Sequence, residues 1–217
     1  MTGNKNTEET VNLILDVAFG LFMERGYERT SIQDITDNLE GISKGTIYHY
    51  FESKEDILVA VTDRITVEQN QMFAEIRNCT DLTGREKLKA IFKESLFRPV
   101  QEDIYTVAPD LGNSPKLMFR IFRETIDEAA PNYILPIIEQ GISDGSVQTD
   151  YPAELAELII LSMKIWLNPM IFNHSAEEIY RKFMMFRQMM QGFGLDILDD
   201  EMLGRLQQLA ILYQKNK

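Results

Sequence analysis

A repeated helix-start signal restricts the fold of this 217-residue chain more than any other feature. A Ser or Thr stands three residues before an Asp or Glu, so that each side chain can accept a hydrogen bond from the other residue's backbone amide. Apolar residues at helical spacing follow the signal. It occurs at Ser31–Asp34, Ser53–Asp56, Thr83–Glu86 and Ser175–Glu178. No stretch alternates in the manner of a strand, and the sequence therefore predicts an all-α fold.

Glycines and prolines divide the chain into these helices. The first helix is predicted over residues 7–25, because Gly26 suits a left-handed C-terminal cap. A long helix without Gly or Pro is predicted from Ser53 towards Cys79. Further helices are predicted over residues 83–99, 153–171, 177–193 and 199–214, with first-turn prolines at Pro115, Pro131 and Pro152 and a kink at Asn168-Pro169.

The segment between Ser43 and Ser53 has room for only about two helical turns, too few to be stable alone. Ser43 suits its N-terminal cap, and Ile47 and Phe51 share one apolar face. The opposite face carries groups that bond phosphate oxygens or base edges, namely Lys44, Thr46, Tyr48 and His49. Together with the helix after Ser31, this segment predicts a helix-turn-helix whose second helix enters the major groove of DNA.

Two clusters of residues make this pattern more specific. They are Ala18-Phe19-x-Leu21-Phe22 with Tyr27, Thr30-Ser31-Ile32 and Ile35, and Ser43-Lys44-Gly45-Thr46-Ile47-Tyr48-His49-Tyr50-Phe51 with Ser53-Lys54. On these residues the chain resembles the TetR family of bacterial transcription regulators over roughly residues 8–60. The turn Asn38–Ile42 carries one residue more than the family's usual turn.

The resemblance implies two domains and a set of DNA-binding residues. An N-terminal three-helix helix-turn-helix domain is expected in residues 1–54, and a larger C-terminal helical domain for ligand binding and dimerisation in residues 55–217. Gly45 lets the backbone approach DNA closely because it lacks a Cβ. By resemblance, Tyr48 and Lys54 bind phosphate, Thr30 and Ser31 anchor the DNA backbone, and Ser43, Lys44, Thr46 and His49 complete the surface, the last three nearest the bases. Tyr50 faces either the core or a phosphate.

The charge of the chain limits how it can bind DNA. The whole chain carries −12, and residues 1–54 hold five Lys or Arg against nine Asp or Glu, a net charge of −4. Affinity must then come from a small patch around Lys44 and Lys54, doubled by dimerisation, and nonspecific binding should be weak. The same charge leaves a second hypothesis open, a regulator that acts mainly through a protein partner and has weak intrinsic DNA binding.

The second half of the chain predicts a dimer interface. Residues 153–171 and 177–193 are apolar over more than one helix face, which calls for a second partner surface. They are candidates for a four-helix bundle across a two-fold axis, and the resemblance implies the same homodimer. The alternative is that both helices complete a monomeric core.

By resemblance, the second half should also hold a cavity for a small-molecule effector of apolar or amphipathic character. Large apolar side chains at helical spacing are candidates for its lining, although such a stripe also suits plain core. Arg123 is a candidate polar anchor, with Asn168 and His174 as further possibilities. The candidate lining residues are Phe92, Leu96, Phe119, Phe122, Met163, Trp166, Met170 and Phe172.

Catalysis, metals and cofactors find no support in the sequence. The two histidines are far apart, Cys79 is the only cysteine, and no glycine loop suited to phosphate is present. A chain with one cysteine, no apolar run of membrane-spanning length and a polar start is expected in the cytoplasm. The sequence thus predicts a dimeric, ligand-responsive transcriptional repressor without enzymatic activity.

Overall fold

The structure, a computed structural model, describes residues 2–107, 111–172 and 174–215. Every regular element in these ranges is helical, which confirms the predicted all-α fold. The helices are α1 (Thr2–Arg25), α2 (Ile32–Asp37), α3 (Lys44–Tyr50), α4 (Lys54–Asn78), α5 (Gly84–Phe97), α6 (Val100–Val107), α7 (Pro115–Glu124), α8 (Leu135–Asp144), α9 (Pro152–Leu161), α10 (Pro169–Phe172), α11 (Ala176–Gly192) and α12 (Asp200–Lys215).

The predicted capping signals start four of these helices. The Thr83 and Ser175 hydroxyls accept from the backbone amides of Glu86 and Glu178, and each carboxylate accepts in return from the cap amide at 2.8 Å. The same two contacts at Ser31 begin α2, and at the start of α4 the Ser53 hydroxyl accepts from the Asp56 amide at 3.2 Å. Gly26 adopts φ +86° at the end of α1, as its predicted role requires. Local contacts between residues three apart therefore set these boundaries.

Two stretches are wound as π-helix, and one of them overturns a prediction. Residues Thr125–Ile134 continue α7 directly into α8, so Pro131 lies inside a helical run and the predicted helix start there is wrong. A proline lacks the amide that an α-helix needs, and the run passes through Pro131 with π rather than α winding. The predicted helix over residues 153–171 is not continuous either. It changes to π winding over Ser162–Trp166 and is broken before Pro169.

The chain forms two compact units, Met1–Val67 with Val107–Pro109, and Glu68–Thr106 with Asp110–Lys217. This division falls within α4, whereas the functional boundary predicted at residue 54 marks the start of that helix. The first unit buries apolar residues from α1 to α4, including Ile14, Ile35, Ile47 and Ile57. The second unit encloses a larger core, in which α5 packs on α8, α9 on the Thr125–Ile134 segment, and α11 on α12.

Candidate functional site

Helix α3 is held in the first unit through one face only. Ile47 is fully buried, and Phe51 directly after the helix is buried as well. At the N-terminal end the Ser43 Oγ accepts from the Thr46 amide at 3.1 Å and lies 2.9 Å from the Thr46 hydroxyl. These contacts fix the short helix from inside and leave the opposite face to solvent.

The outer face of α3 gathers most of the residues predicted to contact DNA. Lys44, Gly45, Tyr48 and His49 are exposed, and Thr46 is half-buried. The Lys44 Nζ lies 6.0 Å from the centre of the Tyr48 ring. No carboxylate within the described part of the chain pairs with Lys44, and the first turn of α3 contains no acidic residue. The face therefore presents a cation and several hydrogen-bonding groups together.

The two residues predicted to anchor DNA before α2 are placed differently from each other. Ser31 is exposed and caps α2, and its own amide donates to the Asp34 carboxylate at 2.8 Å. Thr30 is buried, and its hydroxyl donates to the Gly26 carbonyl at 2.9 Å. The Thr30 side chain thus stabilises the turn after α1, while Ser31 lies on the surface.

Lys54 links the start of α4 to the turn after α1. Its Nζ donates to the Tyr27 carbonyl at 2.8 Å and lies 4.1 Å from the centre of the Tyr27 ring. Partial burial lowers the pKa of Lys54, and burial raises the pKa of Tyr27 to about 12. An ammonium has three N–H groups, so Lys54 can hold this turn and still donate to a phosphate.

The predicted effector-lining residues differ in their burial. Phe92 and Met170 are buried, and the Phe92 ring packs on Phe186 with ring centres 5.7 Å apart. Leu96, Met163 and Trp166 lie partly buried at the edge of the same core. On α7, by contrast, Phe119, Phe122 and Arg123 are exposed, and Arg123 pairs with Asp127 at 2.5 Å.

A polar cluster inside the second unit was missed by the sequence reasoning. Glu124, at the end of α7, accepts from the Lys164 Nζ at 2.5 Å and from the Asn70 Nδ2 at 3.1 Å. The Asn70 Oδ1 is buried and has no hydrogen-bond partner among the described residues. One signal was available, because Lys164 is the only charged residue between Leu158 and Phe172. We call Asn70, Glu124 and Lys164 the buried polar cluster.

None of the described residues form a group of three or more His, Cys, Asp or Glu that would suit a metal ion. Among the described helices, none combines the length and apolar character needed to cross a membrane.

Comparison with known proteins relates both units to bacterial regulators. Residues 14–61 match the family described as bacterial regulatory proteins, tetR family. The chain is 30% identical over 149 residues to the HTH-type transcriptional repressor KstR2 of Rhodococcus jostii, covering 66% of this chain and 70% of that protein. It is 30% identical over 156 residues to the fatty acid metabolism regulator protein of Bacillus subtilis, covering 68% and 75%.

A solved structure extends the likeness in fold over nearly the whole chain. The transcriptional regulator from Cytophaga hutchinsonii has a TM-score of 0.59, with 16% identity, over 95% of this chain and 97% of that one. At this level of identity the likeness concerns the fold alone.

Proposed function

The chain belongs to the TetR family of bacterial regulatory proteins, and on this premise we propose that it is a homodimeric repressor released from a pseudo-palindromic operator by a small molecule. It is a DNA-binding transcriptional regulator rather than an enzyme. The observation that carries the proposal is the outer face of α3, where Lys44, Tyr48 and His49 stand exposed on a helix anchored by Ile47.

Each residue of the DNA-binding set has a proposed role that its position supports. Lys44, Thr46 and His49 contact base edges, and Tyr48 and Lys54 bind phosphate. Ser31 donates to the DNA backbone, whereas Thr30 acts by shaping the turn, because its hydroxyl is committed to Gly26. Ser43 holds the first turn of α3, and Gly45 allows close approach.

The dimer is proposed to form through α11 and α12. These two helices pack on each other and leave Tyr180, Met185 and Ile211 more than two-fifths exposed. Helix α9, in contrast, directs its largest apolar side chains into the core of its own unit. A four-helix bundle of α11 and α12 from two copies would cover the exposed apolar residues. The α3 helices of the two copies would then contact successive half-sites of the operator.

Release by a small molecule requires that the molecule favour one arrangement of the dimer. Helix α4 begins next to α3 and carries Asn70 farther along the same continuous helix. An effector that contacts Asn70 would therefore act on α4, the helix that follows α3. A differential binding free energy of roughly 1–3 kcal/mol between the two arrangements suffices for such coupling.

The acidic N-terminal domain supports a second candidate function. Residues 1–54 carry a net charge of −4, which disfavours approach to phosphate outside the α3 patch. The second candidate function is that of a regulator that acts mainly through a protein partner and has weak intrinsic DNA binding.

The first experiment is selection of bound sequences from random duplex DNA, followed by a salt titration on the enriched sequence. A pseudo-palindrome should be recovered. Lys44→Ala should weaken its binding by about 1–3 kcal/mol with a shallower salt dependence, and Tyr48→Phe by about 1 kcal/mol.

Lys93→Ala is the matched control, since it removes a cation that pairs with Glu201 in the second unit. It should leave DNA affinity unchanged. Failure to enrich any sequence at low salt, or full affinity in both α3 variants, would favour the partner-dependent function.

A further inference from the structure

The buried polar cluster is the feature of the second unit that packing alone does not explain. The Lys164 and Glu124 side chains are only 11% and 10% exposed. Phe73, fully buried, places its ring centre 6.0 Å from the Lys164 Nζ. Apolar residues of similar volume would stabilise such a position as well as an ion pair, because the pair must lose its hydration. Its presence therefore points to a use beyond stability.

The hydrogen bonds of the cluster are incomplete in a specific way. Asn70 donates to Glu124, and turning its amide over would set the Asn70 Oδ1 against a carboxylate. The Oδ1 is therefore an oriented acceptor that lacks a donor in the part of the chain that the structure describes. Within the described structure, Lys164 uses one of its three N–H groups, on Glu124. The cluster thus offers one acceptor and further donors to a bound molecule.

The backbone around the cluster is irregular on two sides. Glu124 directly precedes the π-wound segment Thr125–Ile134, and Lys164 lies within the π-wound segment Ser162–Trp166. Such windings in helices often accompany functional sites. The Lys164 and Glu124 side chains keep small exposed fractions, and Asn70 is half-buried.

Charge balance decides what kind of molecule fits. The Lys164–Glu124 pair is internally neutral, so a carboxylate or an ammonium brought beside it would leave one buried charge without compensation. A hydroxyl adds no charge, and it can donate to the Asn70 Oδ1 while accepting from the Lys164 Nζ. The surrounding core of the second unit is apolar.

We propose that the buried polar cluster binds the hydroxyl end of an uncharged amphipathic effector whose body lies among the apolar side chains around Phe73. This inference rests on the proposed function, in which the second unit binds the effector. The effector is then an alcohol with an extended apolar body, recognised by Asn70, Glu124 and Lys164.

The test uses three probes with one apolar body and different heads, namely octan-1-ol, octanoate and octylammonium. Binding to the full-length protein is measured by calorimetry and by the shift in thermal unfolding. The wild type should bind the alcohol at least tenfold more tightly than either ion. Glu124→Gln leaves Lys164 unpaired and should make octanoate the preferred probe, whereas Lys164→Gln should make octylammonium the preferred probe.

Two controls separate this prediction from general damage to the core. Glu201→Gln removes a carboxylate from an exposed pair with Lys93 and should keep the preference for the alcohol. The double variant Glu124→Gln/Lys164→Gln lacks the Lys164 donor and the carboxylate that orients Asn70, so it should bind the alcohol less tightly than the wild type without preferring either ion, and the test remains decisive if a single variant fails to fold. An unchanged order of probes in both single variants, or no binding of the alcohol to the wild type up to its solubility, would overturn the proposal.

The same probes distinguish this inference from the proposed function. If the alcohol binds as expected but leaves operator binding unchanged, the site is correct and its role in release is wrong. If another molecule releases the operator equally well from the wild type and the double variant, release occurs without this cluster and the site assignment fails.

Discussion

At the scale of single residues, two capping carboxylates predict how stability depends on pH. Hydrogen bonds from Thr83 and Ser175 hold the pKa values of Glu86 and Glu178 below their usual range. The folded state then binds fewer protons than the unfolded state, so this stabilisation is complete above the unfolded pKa of about 4.3 and is lost as the pH falls through the folded pKa. In the double variant Glu86→Gln/Glu178→Gln, the melting temperature should fall less steeply than in the wild type as the pH is lowered.

Glutamine suits this test because its amide oxygen accepts the same backbone hydrogen bond at every pH. The variant should therefore melt close to the wild type at neutral pH. Glu139→Gln on α8 is the control, and it should keep the wild-type acid slope. A double variant with an unchanged slope would contradict the assigned origin of the pH dependence.

At the scale of elements, the contact between α5 and α8 depends on two glycines. A Cβ on Gly84 would lie 2.4 Å from the Gly141 Cα and 2.6 Å from the Ile137 carbonyl oxygen, and backbone atoms cannot move aside as a flexible side chain can. Gly84→Ala should therefore force the helices apart and lower the free energy of unfolding by about 1–3 kcal/mol. The measurement is urea unfolding monitored by circular dichroism.

Gly192→Ala, in the last turn of α11, is the matched control within the same unit. A Cβ there meets no described atom within 4 Å beyond its chain neighbours and the backbone of its own helix, so the free energy of unfolding should stay within about 0.5 kcal/mol of the wild type. Equal effects of the two substitutions would show that α5 and α8 can separate without cost.

At the scale of the whole molecule, the proposed dimer predicts a coupling between assembly and DNA binding. Met185 on α11 and Ile211 on α12 are exposed apolar residues. Met185→Lys/Ile211→Lys would bury two cations in the proposed bundle and should convert dimer to monomer in sedimentation velocity. Operator affinity should fall with it, because a monomer contacts a single half-site.

Leu13→Lys provides the control for this prediction, since Leu13 is 45% exposed on α1, outside the proposed interface. It should leave the dimer intact. A double variant that remains dimeric would place the interface elsewhere.

Much of the fold and of the α3 surface followed from the sequence, because the interactions that decide them join near neighbours. The caps at Ser31, Ser43, Thr83 and Ser175 each join residues three apart. The division of α3 into a buried and an exposed face follows from the spacing of Ile47 and Phe51. Such contacts form whatever the rest of the chain does, and a pattern of a few residues is enough to predict them.

Other features depended on residues that only the tertiary structure brings together. Lys54 contacts the Tyr27 carbonyl across 27 positions, and Lys164 contacts Glu124 across 40. Pro131 stays inside a helical run whose neighbouring residues Ala129 and Ala130 are buried in the core. The sequence by itself determined where the capped helices α2, α3, α5 and α11 begin and which side of α3 faces outward. The tertiary structure alone decided where buried charges pair. That pairing depends on which helices pack together, and the spacing of neighbouring residues in the sequence does not predict this packing.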